Sequence, residues 1–180
     1  AFNNVNAEAL PKEFKTNILN YINSIEEFSS SFLQSNGKTI EEGNLYIKNK
    51  RIIIQYNTPS KIKIIIAHNK AMYFNEDLQE VEYFNPKNSV AELFYKIFYD
   101  LSFFDSGILR NNENILILEK NISFEDEKIN LQIFFENKPF LIRKLKIKQR
   151  DNNLTFSLIN PNFNPNLNKD FFSMNDPTLN

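Results

Sequence analysis

The run Arg51-Ile52-Ile53-Ile54-Gln55-Tyr56 constrains this chain more than any other stretch, because as a strand it is apolar on both faces. Successive strand side chains point to opposite faces. Ile52, Ile54 and Tyr56 therefore share one side, and Arg51, Ile53 and Gln55 the other. Such a strand needs apolar company, supplied by the protein's own core or by a ligand as well. It closes a longer stretch, Phe28 to Pro59, in which two further extended runs are joined by polar, Gly-containing connections.

The rest of the chain supplies elements to pack against it. Phe14, Ile18, Tyr21, Ile22 and Ile25 fall on the i, i+4, i+7, i+8, i+11 stripe of an amphipathic helix, and Pro11 suits its first turn. The period then switches to two. Strands are predicted at Phe28–Gln34, Gly43–Lys48, Arg51–Tyr56, Lys61–His68, Ala71–Phe74 and Gln79–Phe84, with turn chemistry at Asn36-Gly37, Pro59-Ser60, Asn69-Lys70 and Asn75-Glu76-Asp77. Short links between successive strands imply an antiparallel meander. In the last of these strands Val81 and Tyr83 alternate with Glu80 and Glu82.

Ser89-Val90-Ala91-Glu92 then reads as a capping box, with Ser89 as N-cap and Glu92 at N3. The helix it opens carries Val90, Leu93, Phe94, Ile97, Phe98 and Leu101 on one stripe, widened by Tyr95 and Tyr99, with Gly107 as terminator. This insert, about 88–105, is too apolar for an exposed helix and too short to span a membrane. It must cover something apolar. Further strands are predicted at Ile115–Glu119, Ile122–Glu125, Lys128–Glu136, Phe140–Gln149 and Leu154–Leu158, with one turn at Glu125-Asp126-Glu127-Lys128 and a last short strand at Asp170-Phe171-Phe172. No repeat, linker or composition break divides the 180 residues, so residues 1–180 read as one domain.

Composition narrows the chemistry. His68 is the only histidine and there is no cysteine, which excludes a thiolate nucleophile and leaves a Ser-His-Asp triad or a multi-histidine metal site almost nothing to build on. A lone histidine at a strand end reads as a solvent-facing polar residue. With three glycines there is no phosphate-cradling loop, and acidic neighbours at turns have poor geometry for paired acid–base work. The sequence therefore argues against an enzyme, and no cofactor or metal is expected. A net charge of -1 gives no footprint for nucleic acid. The aromatic set is large and unusual, with 18 Phe and 7 Tyr and no Trp; it either fills a thick core or lines something. The chain opens Ala1-Phe2-Asn3-Asn4, as a secretory protein whose signal peptide has been removed would; a chain trimmed there would look the same. One charge pattern stands out. Lys144, Lys146, Lys148 and Arg150 recur at every second position, so an unbroken strand would align them on a solvated face or a basic stripe for docking a partner or anionic headgroups.

An antiparallel sheet of ten or more strands curls, and two helices can close its hollow side. If the insert packs permanently, the residues beneath it are a core; if it lifts, they line a cavity for a lipid. The residues alone leave both open.

Phe28-Ser29-Ser30-Ser31-Phe32-Leu33-Gln34, Gly43-Asn44-Leu45-Tyr46-Ile47-Lys48 and Arg51 through Tyr56 with Pro59, followed by Met72-Tyr73-Phe74, Leu78-Gln79-Glu80-Val81 and the apolar insert Ser89–Phe104, together resemble the periplasmic outer-membrane lipoprotein carrier family (LolA) in order and spacing. The resemblance implies a mainly β fold: an unclosed antiparallel β-barrel, or half-barrel, with an N-terminal helix and a helical lid. It implies a periplasmic chaperone for lipoprotein transport, monomeric, that takes acylated lipoproteins from an inner-membrane ABC-type release complex (LolCDE) and hands them to an outer-membrane receptor (LolB) or an equivalent acceptor. Leu45, Ile47, Ile52, Ile54, Ile64, Tyr73, Leu93, Phe94, Ile97 and Phe98 are then expected to line the cavity or its lid. The alternative is a half-barrel that binds or senses another lipid. The family often carries two basic residues and a Pro before a Phe-x-Trp pair. Here Lys48-Asn49-Lys50-Arg51 precedes Ile52 and Ile54, which leaves the lid-coupled basic residue open among Lys48, Lys50 and Arg51.

Overall fold

The computed structural model describes residues 10–124 and 127–179. Helix α1 spans Lys12–Ser24 with Pro11 at its N-cap position, and buries Phe14, Ile18 and Tyr21 as the spacing predicts. Six strands follow: β1 Glu27–Ser35, β2 Ile40–Lys48, β3 Arg51–Thr58, β4 Ile62–Ile66, β5 Ala71–Asn75 and β6 Glu80–Phe84. The insert is helix α2, Val90–Tyr99, and a 3₁₀ turn at Leu101–Phe104. Strands β7 Ile108–Asn112, β8 Ile115–Phe124, β9 Glu127–Asn137, β10 Phe140–Gln149 and β11 Asn152–Asn162 complete one sheet.

The sheet has eleven strands in the order β6-β5-β4-β3-β2-β1-β11-β10-β9-β8-β7. Neighbours pair antiparallel throughout. Two meanders are thus joined by β1 against β11, and β6 and β7 remain as free edges. The insert links those two edges, so it crosses the open side of a half-barrel. Both helices bury their apolar stripes in one cluster with the inward residues of the sheet. On the α1 side the packing is aromatic: Phe14 meets Phe135 edge-on at 5.5 Å, and Phe135 stacks on Phe140 at 5.1 Å. Ser30 is the one buried polar residue among the described residues. It sits where the β1–β11 register slips, and its hydroxyl donates to the carbonyls of Ser31 and Ile159, both at 2.9 Å.

Four expectations need correction. Ile115–Glu119 and Ile122–Glu125 belong to one strand, β8, because Lys120 and Asn121 continue the ladder with Leu131 and Asn130; Glu125 and Asp126 lie outside the described residues. Strand β7 was not expected. It is a polar edge strand with only Leu109 half-buried, so it carries no alternation. Asp170-Phe171-Phe172 forms a 3₁₀ turn over Lys169–Phe172, capped by the Asn168 side chain on Asp170 N–H, in place of a strand. Ser89 holds the N-cap position of α2 and Glu92 its N3 position as expected, but the bonds of the capping box are shifted: Glu92 accepts from Asn88 N at 2.8 Å, while the Ser89 hydroxyl donates to Pro86 O and caps no helix N–H.

Gly43 is required by close approach. A Cβ there would lie 2.0 Å from the Gln55 carbonyl oxygen and 2.7 Å from the ring of Phe32, which covers it from across the β1–β2 pair. Gly43→Ala must therefore push β3 away and tilt Phe32. A loss of about 3 kcal/mol, the upper end for overpacking, is expected in urea unfolding.

Candidate functional site

The inward face of β2–β5 is laid out in two rows by the register. Leu45, Ile54, Ile64 and Tyr73 lie side by side in one row, and Ile47, Ile52, Ile66 and Ala71 in the next. Tyr56 extends the wall past Gly43 to Phe32, whose ring meets Tyr56 edge-on at 5.2 Å and stacks on Phe156 at 4.3 Å. Over this wall α2 buries Leu93, Phe94, Ile97 and Phe98. Phe94 meets Phe156 edge-on at 5.0 Å. Nine of the ten residues expected to line a cavity or lid thus meet in one cluster. Tyr73 stands outside it, half-buried toward the β6 edge opposite Glu82. Phe32, Ile66 and Phe156 join the wall although they are not among those ten; Phe32 is readable from the alternation of its strand.

The insert is down against the sheet, and its polar attachments are uneven. At its C-terminal end the Tyr99 hydroxyl donates to the Arg51 carbonyl at 3.0 Å, and the Lys120 ammonium donates to the Phe103 carbonyl and lies 4.1 Å from the Phe103 ring centroid. Lys15 reaches Asp105 from α1 at 3.9 Å. At the N-terminal end the polar contacts of Asn88, Ser89 and Glu92 are local, and among the described residues apolar packing alone holds this end to the sheet. Burial pushes the Tyr99 phenol well above its ordinary value, and desolvation lowers the Lys120 ammonium. Nothing in the sequence marks Lys120, because a cation on the inward face of a strand reads as solvated. Tyr99→Phe removes one neutral hydrogen bond, about 1 kcal/mol. The open population of the insert should rise about fivefold, seen as faster amide exchange in α2 and faster entry of an apolar dye.

The three basic residues beside β3 divide their work. Lys50 lies 4.9 Å from the Tyr99 ring centroid, so it is the side chain of the three that touches the insert. Lys48 pairs with Glu27 at 3.1 Å and donates to the Leu167 carbonyl, and the Arg51 guanidinium donates to the Phe172 carbonyl at 2.6 Å. These two hold the C-terminal segment on the other face of the sheet. The Leu167 N–H and then Lys48 hold the Glu27 carboxyl below the usual carboxylate range. His68 is exposed, as expected, with its ring 5.7 Å from that of Tyr95.

The convex face also carries the expected basic stripe, with one loss. Lys144, Lys146 and Lys148 alternate with buried Leu145 and Ile147 and so point outward. Arg150 lies past the end of β10 in a left-handed turn (φ 51°) and reaches Glu127 at 3.6 Å. The strand does not continue far enough to align it.

No family model and no curated protein matches the chain. Among solved structures, an uncharacterized conserved protein from Thermus thermophilus superposes with a TM-score of 0.51 at 2% identity, over 84% of this chain and 87% of that one. The MucA/MucB complex of Pseudomonas aeruginosa matches with a TM-score of 0.50 at 10% identity, over 89% of this chain and 60% of that one. At these identities the likeness is one of fold alone, an unclosed antiparallel half-barrel.

Proposed function

We propose that this protein is a periplasmic chaperone that holds the acyl chains of lipoproteins between α2 and the inward face of β2–β4 and carries them from inner to outer membrane. The observation that carries the reading is the uneven seam of the insert. Its stripe Leu93, Phe94, Ile97 and Phe98 covers an unbroken aliphatic wall, yet its polar ties lie at the C-terminal end. Such an insert can swing on Asp100–Asp105 and open from Val90. The residues it uncovers are Ile, Leu and Phe, so what enters is hydrocarbon, and the protein works by binding and not by catalysis.

Energetics then fix how cargo leaves. Acyl burial gains about 0.8 kcal/mol per CH₂. Several chains would gross tens of kcal/mol, beyond the ceiling of roughly 18–21 kcal/mol for non-covalent affinity. Opening the seam must offset much of this. Release into water is too slow to be useful, and transfer passes directly from one apolar surface to the next, from an ABC-type release complex (LolCDE) to an acceptor such as LolB. The deciding experiment incubates the protein with inner-membrane vesicles bearing a triacylated lipoprotein. Lipoprotein appearing in a soluble one-to-one complex supports the reading; lipoprotein staying in the pellet overturns it.

The second reading is a lipid-binding or lipid-sensing module of the same shape. MucB is solved holding a protein partner, MucA, and a half-barrel that couples a lipid to a protein partner would share this fold. Mass spectrometry of lipid extracted from the purified protein separates the two: triacylated lipopeptide favours the carrier, free phospholipid the sensor.

A further inference from the structure

Among the described residues, the ion pairs and hydrogen bonds of the sheet's cations leave one gap. Setting aside Lys128, which adjoins residues outside the described ones, nine Lys and Arg residues lie within strands. Six have a partner. Lys48, Arg110 and Arg143 pair with Glu27, Glu119 and Glu136, and Arg51, Lys63 and Lys120 donate to the carbonyls of Phe172, Phe171 and Phe103. The remaining three are Lys144, Lys146 and Lys148, with neither an ion pair nor a hydrogen bond among the described residues. They stand consecutively on the convex face of β10. The register shows why no carboxylate reaches them: Lys144 lies between Phe134 and Ser157, Lys146 between Gln132 and Thr155, and Lys148 between Asn130 and Asn153. Every lateral neighbour is neutral. The Phe134 ring lies beneath the first two, 5.6 Å from the Lys144 ammonium and 5.2 Å from that of Lys146.

We propose that this face of β9–β10 docks an acidic segment of a partner protein in extended conformation. Alternate residues of a strand recur at about 6.8 Å, so carboxylates at every second position of an extended segment meet the three ammonium groups one for one. The half-buried Phe134 gives the segment an apolar contact between charges. Three lysines on a chain of net charge -1 are too few to hold it on an anionic membrane, where stable attachment takes more than one such signal. An extended acidic peptide instead finds charge, spacing and an aromatic floor together. The docking face is opposite the one that α2 covers, so it stands independently of the lipid reading.

The test uses the full chain and a fluorescent peptide of alternating Glu and Thr, read by anisotropy across a salt series. The expected result is salt-sensitive binding that falls at least tenfold in K144Q/K146Q/K148Q and is unchanged in K38Q/K61Q/K87Q, which removes the same charge from exposed sites elsewhere. Apolar dye uptake should be equal in all three proteins; loss of dye uptake with peptide binding intact would strike the lipid reading alone. Equal weakening in both triple variants, or no peptide binding by the parent chain, overturns the proposal. So does sedimentation of the parent chain, but not of K144Q/K146Q/K148Q, with phosphatidylglycerol vesicles, which would assign the face to a membrane.

Discussion

Phe94→Ala should leave α2 almost unprotected against amide exchange while β2 and β3 keep most of their protection. Phe94 is 4% exposed and its ring bridges α2 to Phe156 and, through it, to Phe32. Truncating a buried Phe costs about 3–5 kcal/mol, and the closed form loses that much relative to every form in which α2 is off the sheet. The response of the sheet depends on the cost of lifting α2 alone. If the insert is a lid, lifting costs less than the mutation removes, and the lifted form becomes the ground state. The stability of the sheet then falls only by the lifting cost and stops there, so urea unfolding registers less than the full loss. If α2 is instead a fixed part of the core, α2 and the sheet lose the same protection together and urea reports all of it. Exchange measured by mass spectrometry on peptides covering Val90–Phe104 and Leu45–Tyr56 tells these apart. Joint loss would remove the cavity from this protein.

Much of this lid geometry is legible in the sequence because it rests on periodicity. The stripe Leu93, Phe94, Ile97 and Phe98 names the buried face of α2 whatever it covers, and alternation in the strands names the wall. The register that sets Leu45, Ile54 and Ile64 in one row follows from short turns joining successive strands. Contacts that read the main chain are not legible. Tyr99 and Lys120 each donate to a carbonyl, and a carbonyl is present at every residue, so no pattern announces the partner. Ser89 stands at the N-cap position without a side-chain cap bond for a related reason. Its hydroxyl finds the Pro86 carbonyl three residues back, a local competitor that the capping-box spacing does not register. Strand β7 is hidden because an edge strand needs no alternation once its other side faces solvent.

The second face of β3 carries the remaining prediction. Ile53 is fully buried, and its cover is the C-terminal segment: Ile53, Ile65, Met72, Phe74 and Phe172 form a separate cluster, with Tyr46, Leu167, Phe171 and Met174 packed at its edge. The segment is held by main-chain reading from end to end, since Lys48, Lys63, Arg51 and Tyr83 donate to the carbonyls of Leu167, Phe171, Phe172 and Met174. Lys63 also lies 4.2 Å from the Phe171 ring centroid, and burial lowers its ammonium. Among the described residues of the segment, Phe172 is the one side chain that is fully inside. Phe172→Ala should therefore cost about 3–5 kcal/mol and create binding of a dye that recognises exposed apolar surface, at Ile53 and Ile65. Its effect should add to that of Gly43→Ala within about 0.5 kcal/mol if the clusters are independent; Gly43 packs against Phe32 on the other face. The rate of apolar ligand entry under α2 should stay at the parent value. A change in that rate would mean that Arg51, whose guanidinium holds the segment while its carbonyl holds Tyr99, transmits the state of one face to the other.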